Sequence, residues 1–140
     1  METRNKIVKE AESWIRTPFM GHTGVKGLGV DCVHLVAAVY VAAGVLKAPV
    51  EFPRYTLGAG SHLESSLVVD SVVKTGRFCL VDNIQPGDMI GFRCGRVIHH
   101  VGIATSENEF IHCYQGAKVC KSRLDAPPWS TRVKAIWRPV

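Results

Sequence analysis

Ile7, Ala11, Trp14 and Ile15 recur at helical spacing among charged residues, and Thr17-Pro18 ends the pattern, which predicts an amphipathic first helix. A glycine-rich stretch, Gly21 to Gly29, separates it from a second periodic segment. There Cys32, Leu35, Val36, Val39, Tyr40 and Ala43 form a continuous helical face, and the predicted helix is largely buried. Asp31 is a favourable N-cap and Gly44 a favourable stop. Beyond Pro49 and Pro53, Ser61-His62-Leu63-Glu64 has the form of a capping box. It precedes Leu63, Leu67, Val68 and Val72, a third predicted helix ended by Gly76.

After Gly76 the apolar period changes from helical to two. Short strands are predicted over Phe78 to Val81, Met89 to Arg93, Val97 to Thr105, Glu109 to Tyr114, Lys118 to Cys120 and Arg132 to Trp137. Turn signals such as Gln85-Pro86-Gly87-Asp88 and Cys94-Gly95-Arg96 separate them. Helices first and strands second imply an α+β fold, with N-terminal helices packed on an antiparallel sheet.

A chain of 140 residues is read as one domain spanning 1–140, and 46% hydrophobic against 21% charged residues excludes a disordered tail. The formal charge of +5 favours anionic surroundings, but no nucleic-acid module accompanies it, so no nucleic-acid partner is expected. The longest apolar stretch, Val33 to Leu46, contains His34 and is too short for a membrane span. Met1 to Glu10 alternates charges and lacks the apolar core of a signal peptide, so synthesis and retention in the cytoplasm is the expectation. The five cysteines are an odd number with no paired framework, which favours reduced thiols.

Cys32 follows the N-cap of the second helix, where the macrodipole and unpaired backbone N–H groups acidify a thiol and favour the nucleophilic thiolate. The base must come from among His22, His34, His62, His99, His100 and His112. Alternation in the strand from Val97 puts Val97 and His99 with Val101 and Ile103, and Ile98 and His100 with Gly102 and Ala104, where a helix end has room to approach. In the following strand His112 alternates with Ile111 and Cys113, so a hairpin would set it beside His100. Nucleophile, base and orienting group together suit acyl transfer through a thioester. His34, two residues after Cys32, points away from the nucleophile's face. Cys94, His99, His100, His112, Cys113 and Cys120 lack the tight spacing of a zinc site, and neither metal nor cofactor is expected.

Several blocks in one order carry a family resemblance. They are Gly29-Val30-Asp31-Cys32, Leu35-Val36, Gln85-Pro86-Gly87-Asp88-Met89-Ile90-Gly91-Phe92, His100-Val101-Gly102-Ile103-Ala104 and Phe110-Ile111-His112. Together they resemble the motif blocks of the NlpC/P60 cell-wall peptidases. Thr17-Pro18-Phe19 and Lys26-Gly27-Leu28-Gly29-Val30-Asp31-Cys32 are similar to small phage-encoded members associated with tail assembly.

The resemblance implies a papain-like cysteine peptidase that cuts murein peptides of the γ-D-glutamyl-diaminopimelate type. Cys32 would be the nucleophile, His100 the base and His112 the third polar member, with Asp31 and Phe19 at the substrate. Virion association and action at the cell wall, with phage tail proteins as partners, belong to the same expectation. Val33-His34 stands where family members carry Ser-Gly, and Phe19 where they carry tyrosine. Those departures keep open a catalytically weak or inactive structural component that binds peptide, and the same thiol-imidazole chemistry also serves acetyltransferases.

Overall fold

The computed structural model describes residues 2–48, 50–52, 69–94 and 97–140. Helix α1 (Glu2–Ser13) buries Ile7 and Ala11, and Trp14 just beyond it, while Ile15 stays partly exposed. Helix α2 (Cys32–Ala42) buries Val33, Leu35, Val36, Ala37, Val39 and Tyr40, so most of its circumference faces protein, as its near-continuous apolar sequence predicts. It ends at Gly44 in the left-handed region (φ 83°), with Val45 N–H donating to Tyr40 O at 2.8 Å. The predicted start of the third helix, including Leu63 and Leu67, lies outside the described residues. Its last turns, over 69–73, bury Val69 and Val72 and stop at Gly76 (φ 77°).

The glycine-rich stretch holds a small antiparallel pair, β1 (Gly24–Val25) and β2 (Gly29–Val30), that hydrophobic periodicity did not reveal. Beyond the third helix run β3 (Phe78–Leu80), β4 (Met89–Cys94), β5 (Val97–Ala104), β6 (Glu109–His112), β7 (Cys120–Arg123) and β8 (Val133–Pro139). They form one antiparallel sheet in the order β3-β8-β4-β5-β6-β7. The α+β expectation therefore holds. The strand expected over Lys118 to Cys120 lies further along the chain, because β7 is a polar edge strand whose alternation is of half-buried and exposed residues rather than apolar and polar ones.

One face of the sheet supplies Val101, Ile103, Ile111 and Cys113 to the main core with α1 and α2. The opposite face carries Ile90, Phe92, Ala104, Phe110 and Leu124 in a second, smaller cluster. The turn before β4 is pinned from inside: buried Asp88 accepts from Arg138 Nε at 3.0 Å and Nη2 at 2.9 Å, and from Gln85 N–H at 2.8 Å. Tyr40 Oη donates to Gly87 O at 2.9 Å, tying α2 to the same turn.

The face assignment within β5 needs one correction. The register pairs Phe92 with His100 and Arg93 with Ile98, leaving His99 as an extra residue in a bulge. Ile98 consequently packs against the main core, as Val101 does, instead of sharing the face of His100. From His100 to Ala104 the predicted alternation is observed.

Candidate active site

Cys32 is the first residue of α2, and the loop before it is built to hold that helix end. Asp31 has extended geometry (φ −105°, ψ 177°) and its Oδ1 accepts from His34 N–H at 2.9 Å. The same oxygen lies 2.8 Å from His34 Nδ1, and Oδ2 accepts from His22 N–H at 2.8 Å. Asp31 is only 2% exposed. Its carboxylate engages the helix cap through one oxygen and the preceding loop through the other. Phe19 forms a parallel bridge with Val30 and packs on the main core, so its ring helps fix the segment leading into Cys32.

The Cys32 thiol lies against the backbone amide of Val101, the residue that follows His100 in β5. Cys32 keeps partial solvent access while it packs against the main core. Burial pushes the thiol up to about 12; the Asp31 carboxylate adds to the rise, and hydrogen bonds from the Val101 and Val33 amides oppose it. The expected acidification at the helix start is thus outweighed by desolvation. At neutral pH the thiol carries its proton, and nucleophilic attack requires a base that removes it in the same step.

His100 and His112 do come together. His100 Nε2 and His112 Nδ1 are 2.7 Å apart, and both residues are buried. The register Ile103↔Ile111 and Ala104↔Phe110, continued by one pair, sets Gly102 opposite His112 and makes His100 its diagonal neighbour. Gly102 has a specific part in this. A Cβ there would stand 2.8 Å from Phe110 Cδ2 and 3.2 Å from His112 Cβ. The small residues beside His100 therefore admit Phe110 and His112, whereas the sequence reading reserved that space for a helix end; α2 packs instead on the Val101 and Ile103 face.

Two contributors escaped the sequence reading. Trp129, in a short 3-10 turn (Trp129–Thr131), stacks on His100 with ring centroids 5.3 Å apart and meets His112 edge-on at 4.7 Å. Ser122, on β7, has its Oγ 2.7 Å from His112 Nε2. Cys120 Sγ is a more distant neighbour of that nitrogen, at 3.9 Å. His34, by contrast, packs its ring on Phe52 at a centroid distance of 4.9 Å and belongs to the Asp31 cap.

Desolvation lowers His112 to about 4, so it is neutral over the physiological range. The unfolded chain takes up a proton at this residue below about 6.5 and the folded chain only below about 4. Folding stability should therefore fall by about 3 kcal/mol as the pH drops through that window, with no further loss from this group below it. Urea unfolding between pH 7 and 4 checks this. His112→Gln should flatten the decline; an unchanged slope would assign it to other groups.

Residues 17–138 match the model of the NlpC/P60 family, and the chain belongs to that family. It is 29% identical over 134 residues to a probable endopeptidase of Haemophilus influenzae, covering 94% of this chain and 70% of that protein. It is 36% identical over 134 residues to murein DD-endopeptidase MepS/murein LD-carboxypeptidase of Escherichia coli K12, covering 94% of this chain and 61% of the relative. An NlpC/P60 family protein from Bacillus cereus superposes with a TM-score of 0.71 at 18% identity, over 97% of this chain and 40% of that one. The chain thus spans about two fifths of that structure and roughly two thirds of the two enzymes.

Proposed function

We propose that this protein is a cysteine peptidase that hydrolyses peptide bonds of bacterial murein. The observation that carries the proposal is the meeting of two elements: the Cys32 thiol rests on the Val101 amide, and the preceding residue of that strand is half of a hydrogen-bonded histidine pair. Membership of the family and the relatives named as endopeptidases support the reaction class, and the Escherichia coli relative named as a murein endopeptidase supports the substrate class.

In this reading Cys32 Sγ attacks the scissile carbonyl carbon while its proton passes to His100 Nδ1, the ring nitrogen that does not face His112. The backbone N–H of Cys32, at the helix start, stabilises the oxyanion. Collapse of the tetrahedral intermediate breaks the C–N bond, and His100 gives its proton to the departing amine. Water, deprotonated by His100, then hydrolyses the thioester and restores the thiol. His112 accepts a hydrogen bond from His100 Nε2–H and stabilises the imidazolium formed in each half of the cycle.

The preferred bond is of the γ-D-glutamyl-diaminopimelate type and the site of action is the cell wall. A phage-tail setting rests on the Thr17-Pro18-Phe19 and Lys26 to Cys32 segments. Digestion of purified murein with mass analysis of the released peptides tests the whole reading. Fragments ending at D-glutamate would support it; no released peptide from the folded wild-type chain would favour a peptide-binding component without turnover.

A further inference from the structure

We infer that Ser122 is a positioning residue of this active site, whose hydroxyl oxygen selects the His112 tautomer that leaves His100 able to act as a base. The inference rests on the catalytic reading above and deepens it.

It follows from accounting for each proton along a short chain of contacts. To take the thiol proton at Nδ1, neutral His100 must carry its own proton on Nε2. That proton points at His112 Nδ1, 2.7 Å away, which must then be a lone pair. His112 is neutral because it is buried, so its one proton sits on Nε2. Ser122 Oγ, 2.7 Å from that nitrogen, is the close oxygen there, and in this state it accepts. Cys120 Sγ at 3.9 Å is a weaker acceptor at longer range. The reverse tautomer runs every bond backwards: Ser122 donates to Nε2, His112 Nδ1–H donates to His100 Nε2, and the His100 proton moves to Nδ1, where it blocks the base.

Ser122 therefore acts on the thiol through two imidazoles and never touches substrate. Removing its oxygen leaves a buried Nε2–H without its close acceptor, and the less costly arrangement moves the His112 proton to Nδ1. The hydroxyl is placed by β7, which pairs His112 with Cys120 and Phe110 with Ser122, so that Ser122 reaches His112 diagonally from the sheet edge.

The test combines side-chain nitrogen NMR of the histidines with kinetics on a murein peptide, in wild type, Ser122→Ala, Ser122→Cys and Ser122→Thr. Wild type should show His112 protonated at Nε2. Ser122→Ala should move that proton to Nδ1 and lower kcat roughly 10- to 100-fold, by analogy with the partners that orient metal-ligating histidines, with KM little changed. Ser122→Cys, nearly the same shape with a poor acceptor, should follow alanine; Ser122→Thr should restore both readouts. His112 already protonated at Nδ1 in wild type, or an Nε2 proton and full kcat retained in both the Ala and Cys variants, would overturn the assignment. Because the tautomer is read without turnover, a wild-type chain that cleaves no murein peptide would refute the catalytic reading and still leave the serine's effect on His112 measurable.

Discussion

Cys32→Ala is expected to lower turnover of murein peptides by about 10⁴-fold or more while the protein stays folded. The catalytic loss is large because no other group takes over the covalent step; what remains is the binding of substrate and the polarisation of its carbonyl by the helix-start amide. The structural loss is small. Cys32 is partly solvent-accessible, and the change deletes one sulfur while leaving the Asp31 cap and its bond to His34 N–H in place. A stability cost on the order of 1 kcal/mol is expected. Parallel rate and thermal-unfolding measurements separate the two effects, and unreduced cleavage by the variant would remove Cys32 from the mechanism.

Loss of the base ranks second. His100→Ala should lower kcat by roughly 10³- to 10⁴-fold, because a thiol held near 12 by burial is not self-activating and depends on proton removal during attack. Alanine also deletes the ring that stacks on Trp129 and the partner of His112 Nδ1, so it should destabilise the fold as well. His100→Gln separates these effects: it keeps much of the volume and a donor for His112 but is no base. It should be as inactive as alanine and more stable. His99→Ala is the informative neighbour, since the bulge takes that position out of the β4 ladder, and it should retain activity. A His100→Gln enzyme working at wild-type rate, or loss of activity confined to the His99 variant, would contradict the choice of base.

The helices and most strands were legible because each buries one period of apolar residues, and the cap and stop at Asp31 and Gly44 are local backbone chemistry. His100 and His112 were legible as neighbours because alternation and a hairpin register are enough to set two residues diagonally across strands. What lay beyond the sequence was tertiary. The thiol's environment depends on how deeply α2 sinks against β5, a burial that outweighs the helix-end effect. The bulge at His99 shifts Ile98 to the other face, and alternation alone cannot locate such an insertion. Ser122 was hidden in a run of Lys121, Ser122 and Arg123 that reads as solvated charge, and its role appears only once β7 is laid beside β6. The N-cap role of Asp31 was legible, but the return of the loop that brings His22 N–H to its second oxygen was not.

Capture of the acyl-enzyme tests the central claim most directly. A murein peptide is mixed with enzyme, the reaction is quenched in acid within the first turnovers, and the intact chain is weighed and then mapped by peptide mass spectrometry. The account predicts a mass increase equal to the acyl portion of the peptide, carried as a thioester on Cys32 and absent from Cys32→Ala. Cleavage without any adduct on Cys32, or an adduct mapped to Cys79, Cys113 or Cys120 that persists in Cys32→Ala, would contradict it.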